Sequence, residues 1–325
     1  MMQLRSAFVH NCVLPMTLQI HSGHRGPVYA LEPGTATGSF FSASGDGLVV
    51  RWNIAAPDHG EQVVDAGQAI FSMHHSPQRN MLLLGTEGGD LHVIDLAVAR
   101  ETQLIRMHHK GIFRIMSLDA DRFVCAGGDG YLSCWQWTDG RAQLLRSIPL
   151  GEDKLRDLAL SPDGSSLAVA VGDGTIRILD TTLFNEAHTL IADTPKKGSV
   201  PGDEERHLGI SALAYHPSKQ VLVSGGKDGH LRLWHVGDEY RAILAMPAHK
   251  GTIYAIRFSP DGGICATASR DKTAKLWDPS DFSPLARLDR DRAGHSHSVN
   301  ALLWCNDLLL SAGDDRSIRA WQVPG

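Results

Sequence analysis

The octapeptide Gly45-Asp46-Gly47-Leu48-Val49-Val50-Arg51-Trp52 decides the fold, because it does not stand alone. Slid along the chain, it returns as Gly128-Asp129 to Trp135, Lys227-Asp228 to Trp234, Arg270-Asp271 to Trp277 and Asp314-Asp315 to Trp321. Gly172-Asp173 to Leu179 keeps the aspartate and puts Leu in the Trp position. Gly88 to Ile94 keeps neither residue, yet it has the same turn followed by alternation. The seven anchors fall at 46, 88, 129, 173, 228, 271 and 315, with gaps of 42, 41, 44, 55, 43 and 44 residues. A near-constant period of this length marks a repeat architecture, and one long gap among near-equal ones reads as a loop insertion.

Within each copy the pattern is that of strands. Arg51, Arg177, Arg232, Lys275 and Arg319 alternate with apolar neighbours, the period of two that buries one face of a strand. Upstream lie a second apolar run (168–171, 221–224, 308–311) and a third (155–160, 210–215, 253–258). Ser161-Pro162-Asp163-Gly164, His216-Pro217-Ser218 and Ser259-Pro260-Asp261-Gly262 separate the runs as turns. No segment holds a helical stripe. Three strands and a fainter fourth per repeat predict small antiparallel sheets arranged around an axis.

These residues resemble the WD40-repeat family. Gly23-His24 and Gly294-His295 match its GH pair, and Trp277-Asp278 its WD pair. The resemblance covers Met16 to Val323 and implies an all-β, seven-bladed β-propeller of four-stranded antiparallel blades. It also implies structural tetrads, hydrogen-bonded from His through Ser/Thr to Asp and Trp. Three copies match: His24–Ser42–Asp46–Trp52, His249–Thr267–Asp271–Trp277 and His295–Ser311–Asp315–Trp321. Copy three has His109, Asp129 and Trp135, but Cys125 stands where Ser is expected. Copy five has Ser224, Asp228 and Trp234 without an aligned His, and copies two and four lack most of the set. Those two blades are expected to rely on apolar packing and to be less rigid. The tetrad has a physical use, since a buried indole N–H and a buried carboxylate are costly unless paired.

The last copy ends after its third strand, and Met16-Thr17-Leu18-Gln19-Ile20 alternates as a strand should. It is expected to supply the missing outer strand, so that no sheet edge stays open. The expected organisation is an N-terminal extension, 1–15, disordered and outside the fold, with Met16 a candidate start. A single propeller then follows over 16–325, with a flexible insertion at 194–206. That insertion is polar and rich in Pro and Gly, a tolerated surface loop or a flap over the upper face.

Composition narrows the function classes. Thirty-one Lys plus Arg against 36 Asp plus Glu give a net charge of −5, which argues against a broad nucleic-acid binder. Five cysteines at 12, 125, 134, 265 and 305, with no Cys-x-x-Cys, suggest neither a disulfide framework nor a zinc ribbon. The reading is a cytoplasmic protein without cofactor or metal, bound neither to membrane nor to nucleic acid. His74-His75, His108-His109 and His295-x-His297 have spacings a metal could use, but adjacent strand residues face opposite sides. The Ser–His–Asp groups recur once per repeat beside a Trp, unlike a single catalytic triad. An enzyme is therefore not expected. The alternative is a hydrolase-type propeller enzyme with a metal in its channel.

The family resemblance further implies that partners sit on the upper face, around the central channel. Its face positions map onto three sets. Before the tetrad Asp stand Gly45, Glu87, Gly128, Gly172, Lys227, Arg270 and Asp314. After the first apolar residue of the inner strand stand Tyr29, Phe71, Arg114, Arg156, Ser211, Tyr254 and Asn300, and before it Pro27, Ala69, Ile112, Lys154, Gly209, Thr252 and Ser298. Arg114, Lys154, Arg156, Lys227 and Arg270 make these positions basic, while Tyr29, Phe71 and Tyr254 make them aromatic. Arg and Tyr are enriched in binding hot spots. The expectation is a non-enzymatic scaffold, a monomer within a larger complex, that binds an acidic peptide or protein there.

Overall fold

The computed structural model describes residues 16–192 and 209–323. The proposed extension 1–15 and the insertion 194–206 lie outside the described residues. Among the described residues, twenty-eight strands build seven four-stranded antiparallel sheets. Each sheet begins on an inner strand: β2 (Val28–Pro33), β6 (Ile70–Ser76), β10 (Ile112–Ser117), β14 (Leu155–Leu160), β18 (Ile210–Tyr215), β22 (Ile253–Phe258) and β26 (Val299–Cys305). The first six sheets take four consecutive strands. The seventh takes β26, β27 (Leu308–Gly313), β28 (Ser317–Gln322) and then β1 (Met16–Ser22). Met16 pairs with Gln322 and Ser22 with Ser317, so the N-terminal strand is the outer strand of blade seven and closes the ring.

The apolar core is not one cluster but seven, each spanning two neighbouring blades. Phe41 and Val49 of blade one pack with Leu82, Leu84 and Ile94 of blade two, for example. Val28, Phe40 and Trp52 of blade one pack with Leu310 and Ile318 of blade seven, so the seam at the closure is as apolar as the others. In each seam the third strand contributes one large residue toward the preceding blade: Trp52, Trp135, Trp234, Trp277 or Trp321, and in blades two and four Ile94 and Leu179. On β1, His21 is fully buried against Phe40 and Trp52, with no hydrogen bond to either ring nitrogen. Burial, only partly offset by Asp58, brings its pKa down to about 4, which keeps it neutral in the seam.

In blade one the Trp52 indole N–H donates to Ser42 Oγ at 2.8 Å; His24 Nε2 lies 2.7 Å from that hydroxyl and Nδ1 lies 3.0 Å from Asp46. Because a carboxylate only accepts, Nδ1 carries the proton and Nε2 accepts from the serine. The same chain of bonds links Trp277, Thr267, His249 and Asp271, and Trp321, Ser311, His295 and Asp315. Blade three holds a fourth network, which corrects the sequence reading. Its histidine is His108, not His109, bonded to Asp129 at 2.9 Å. Its hydroxyl is Ser133, which accepts from Trp135 and lies 2.9 Å from His108 Nε2. Cys125 and Ser133 are direct partners across the ladder between β11 (Arg122–Gly127) and β12 (Tyr131–Thr138), so the hydroxyl has crossed to the opposite strand. In blade five Arg232 takes the place of the histidine and donates to Asp228 at 2.6 Å, while Ser224 still accepts from Trp234.

Candidate functional site

At the upper end of the channel every inner strand departs from regular pairing at the same place. The register shifts across Tyr29, Phe71, Phe113, Arg156, Ser211, Tyr254 and Asn300, leaving each unpaired on its own strand. A β-bulge re-aims the side chain it frees, and these seven side chains together bound a cavity of about 250 Å³ at the channel mouth. Backbone bonds brace the mouth behind them. The residue before each tetrad position donates to the residue before each inner strand: Gly45 to Pro27, Glu87 to Ala69, Gly128 to Gly111, Gly172 to Lys154, Lys227 to Gly209, Arg270 to Thr252 and Asp314 to Ser298.

This pattern shifts the sequence reading of blade three by one residue. Phe113 occupies the bulge in place of Arg114, and Gly111 stands where Ile112 was expected. The doublets His108-His109 and Ile112-Phe113 make two registers readable in sequence. Burial separates them: Ile112 is fully buried in the seam with blade two, which a one-residue slip would turn out to the channel.

The mouth has three sectors. Tyr29 meets Phe71 edge-on with centroids 5.4 Å apart, and Phe71 stacks on Phe113 at 5.5 Å. The Arg156 guanidinium then lies 4.6 Å over Phe113, with Lys154 Nζ at 5.6 Å. Cations gather beyond this arc. Burial first, and then Arg156, Lys110 and Lys227, depress the Lys154 pKa, so these four charges share one field. Arg270 is exposed on blade six, and Tyr254, 37% exposed, lies beside it on the rim. Across the mouth the charge reverses. Burial and then Asp314 and Glu87 raise the Tyr29 pKa, and Asn300 donates to Asp314 at 2.7 Å.

Below the mouth is a cluster that the repeat pattern did not reveal. Glu32, His74, Arg114, Asp157 and Arg257 come from the inner strands of five blades, at positions where other blades place small residues such as Ala30, Ser72 and Ala212. Arg114 Nε lies 3.4 Å from Asp157 Oδ1, and His74 Nδ1 lies 3.7 Å from Glu32. Burial, followed by Arg114 and His75, brings the His74 pKa down to about 4; burial raises that of Glu32 against the pull of Arg114. Arg114 thus belongs to the throat rather than the rim. A signal existed in the sequence: charged residues on strands otherwise apolar at alternate positions. Among the described residues no three His, Cys, Asp or Glu side chains come together as a metal would require, and no helix is long and apolar enough to cross a membrane.

The model for the WD domain, G-beta repeat of the WD40 family matches residues 143–180, 202–235, 241–278 and 284–322. The match at 143–180 starts on the outer strand of blade three and ends on the third strand of blade four, so one sequence repeat serves two blades. The chain is 26% identical over 302 residues to Cilia- and flagella-associated protein 52 of Bos taurus, covering 88% of this chain and 43% of that protein. It is 24% identical over 374 residues to Telomerase protein component 1 of Mus musculus, at 98% and 13% coverage. It is 26% identical over 324 residues to the WD repeat-containing protein WDS homolog of Arabidopsis thaliana, at 94% and 57%. The chain therefore spans between 13% and 57% of the length of these relatives. With repeats matched on blades four to seven, and the same His–Ser–Asp–Trp network recurring in blades one and three, the chain belongs to the WD40-repeat family.

Proposed function

We propose that the protein is a non-enzymatic interaction platform in the cytoplasm, a monomer within a larger complex, whose upper face takes an acidic peptide or protein segment. The observation that supports this most is the ring of seven bulged residues. It offers an apolar arc (Tyr29, Phe71, Phe113) beside Arg156, and the loop residues Lys154, Lys227 and Arg270 extend that cation into a sector, all held by a framework of seven seams. Carboxylates or phosphorylated side chains would accept charge-assisted hydrogen bonds from the cations, while the apolar parts of the ligand cover Phe113, Phe71 and Tyr254. Because the rim is already ordered, little conformational freedom is lost on binding.

The test is selection from a displayed peptide library, followed by affinities for three forms of the protein. Selected peptides are expected to be rich in Asp, Glu or phosphorylated residues and to bind more weakly as salt rises. Phe113→Ala/Arg156→Glu should lose at least tenfold, roughly the 1.4 kcal/mol of one decade. Arg51→Glu, on the outer part of blade one, should stay within about twofold, as expected of an exposed ion pair. Binding that survives the double change but falls with Arg51→Glu places the partner elsewhere.

A further inference from the structure

Beneath the mouth the channel narrows to a chamber of about 70 Å³, enclosed by the inner strands. Three guanidinium groups border it: Arg114, Arg156 and Arg257. Their donors are barely used by the protein. Arg257 donates to the Ile256 carbonyl at 2.7 Å. Arg114 has the ion pair with Asp157, but its Nε–H is buried and makes no hydrogen bond. Arg156 has the face of Phe113. The one carboxylate on the chamber wall, Asp157, is itself engaged, accepting from the Leu158 and Leu213 amides at 2.9 Å each. Glu32, nearby, accepts from the His75 amide at 3.4 Å. Burial, Arg114 next, brings the Arg257 pKa down to about 10, against the opposing pull of Asp157 and Glu32.

Cations drawn part-way out of water are costly unless matched by both charge and acceptors, and Arg114, Arg156 and Arg257 are each half-buried. Here three converge on one space, opposed by carboxylates already bonded to backbone amides. We infer that the throat is a binding site for one small anion, a carboxylate or tetrahedral oxyanion held between Arg114, Arg156 and Arg257. The chamber suits this size, since a water needs only about 10–15 Å³ by the same measure. Tyr29 and Phe113 form its roof, so a ligand would enter past the rim. The anion has two possible sources, free solute or an acidic side chain of a bound partner. The site does not depend on the upper-face reading, because a free anion fills it equally well.

The test uses the full chain in a buffer whose counter-anion is too large for the chamber, at constant ionic strength. Inorganic phosphate should raise Tm with the logarithm of its concentration once above Kd, by roughly 5 °C at a hundredfold excess. Direct binding of radiolabelled phosphate by equilibrium dialysis should give the same Kd. Arg257→Met should weaken it at least tenfold, whereas Lys227→Ala/Arg270→Ala on the rim should change it less than twofold. Should Arg257→Met fail to fold, Asp157→Asn serves instead: it keeps an acceptor oxygen, removes the competing charge and should tighten binding several-fold. A short capped peptide containing one Glu then separates the sources. Competition with phosphate means that a partner side chain can enter, and no competition means that the site is for a free anion. No saturable binding by the wild-type protein, or binding unmoved by Arg257→Met and Asp157→Asn alike, overturns the inference.

Discussion

Cys125 and Ser133 lie opposite one another on adjacent strands, and between them they settle where blade three keeps its hydroxyl. In blade one the same two places are held by Ser42 and Val50. Either serine reaches the point midway between the indole N–H and the imidazole. Ser133→Ala should leave the Trp135 N–H and His108 Nε2 unpartnered, at a cost of roughly 1–3 kcal/mol for each buried group left unsatisfied. Cys125→Ser/Ser133→Val would rebuild the blade-one arrangement and should recover most of that loss. Chemical denaturation of the three proteins checks it; equal midpoints would mean that Ser133 does not hold the network. The networks of blades one, six and seven were legible in the sequence because each residue occupies its usual column. The fourth was not, since a column-by-column reading cannot see a hydroxyl eight residues away that the ladder brings to the same point. His108 was missed for a related reason, with an identical residue next to it.

At the scale of the strand and its turns, the boundaries of β14, β18 and β22 were readable to the residue from apolar runs ended by Pro and Gly turns. The bulge was not. Pairing register is a relation between two strands, and a doublet such as Ile112-Phe113 fits either reading until the seam buries one member. The turns also differ in a way that rigidity should report. In the four complete networks the Asp additionally accepts the amide just after the histidine, from Arg25, His109, Lys250 or Ser296, and so ties two loops together. Among the described residues, Asp173 of blade four accepts hydrogen bonds only within its own turn, from Thr175, beside an ion pair with Arg177. In blade two a side-chain bond from Gln68 to Asp90 joins the Glu87–Ala69 backbone bond across the gap. Amides at 66–69 and 151–154 should therefore exchange with solvent faster than those at 24–26 and 249–252, by about tenfold or more. Hydrogen exchange followed by mass spectrometry reads this directly. Uniform rates around the ring would show that apolar packing alone sets loop mobility.

For the ring as a whole, closure was legible because an alternating N-terminal segment and a C-terminal blade lacking its outer strand complement one another. The throat was not, because its five titratable residues stand in inner-strand columns that other blades fill with uncharged residues such as Ala, and they meet only when the ring forms. Deleting residues 1–22 removes β1 and bares the edge of β28, together with the Trp52 and Phe40 surface that His21 covers. That protein should melt roughly 5–10 °C lower and should associate through the exposed edge. Deleting 1–15 should leave Tm within about 2 °C. Equal melting temperatures for the two would show that the clasp adds no stability. The offset between sequence repeat and blade, in which the repeats at 143–180, 241–278 and 284–322 begin at the outer strand of one sheet and end inside the next, has a consequence for recombination. Loss or duplication of one whole repeat, such as 241–278, joins an inner three-strand set to the outer strand of its neighbour. Every sheet still has four strands and the clasp is untouched, so copy number can drift by a blade at a time without an intermediate that exposes half a sheet.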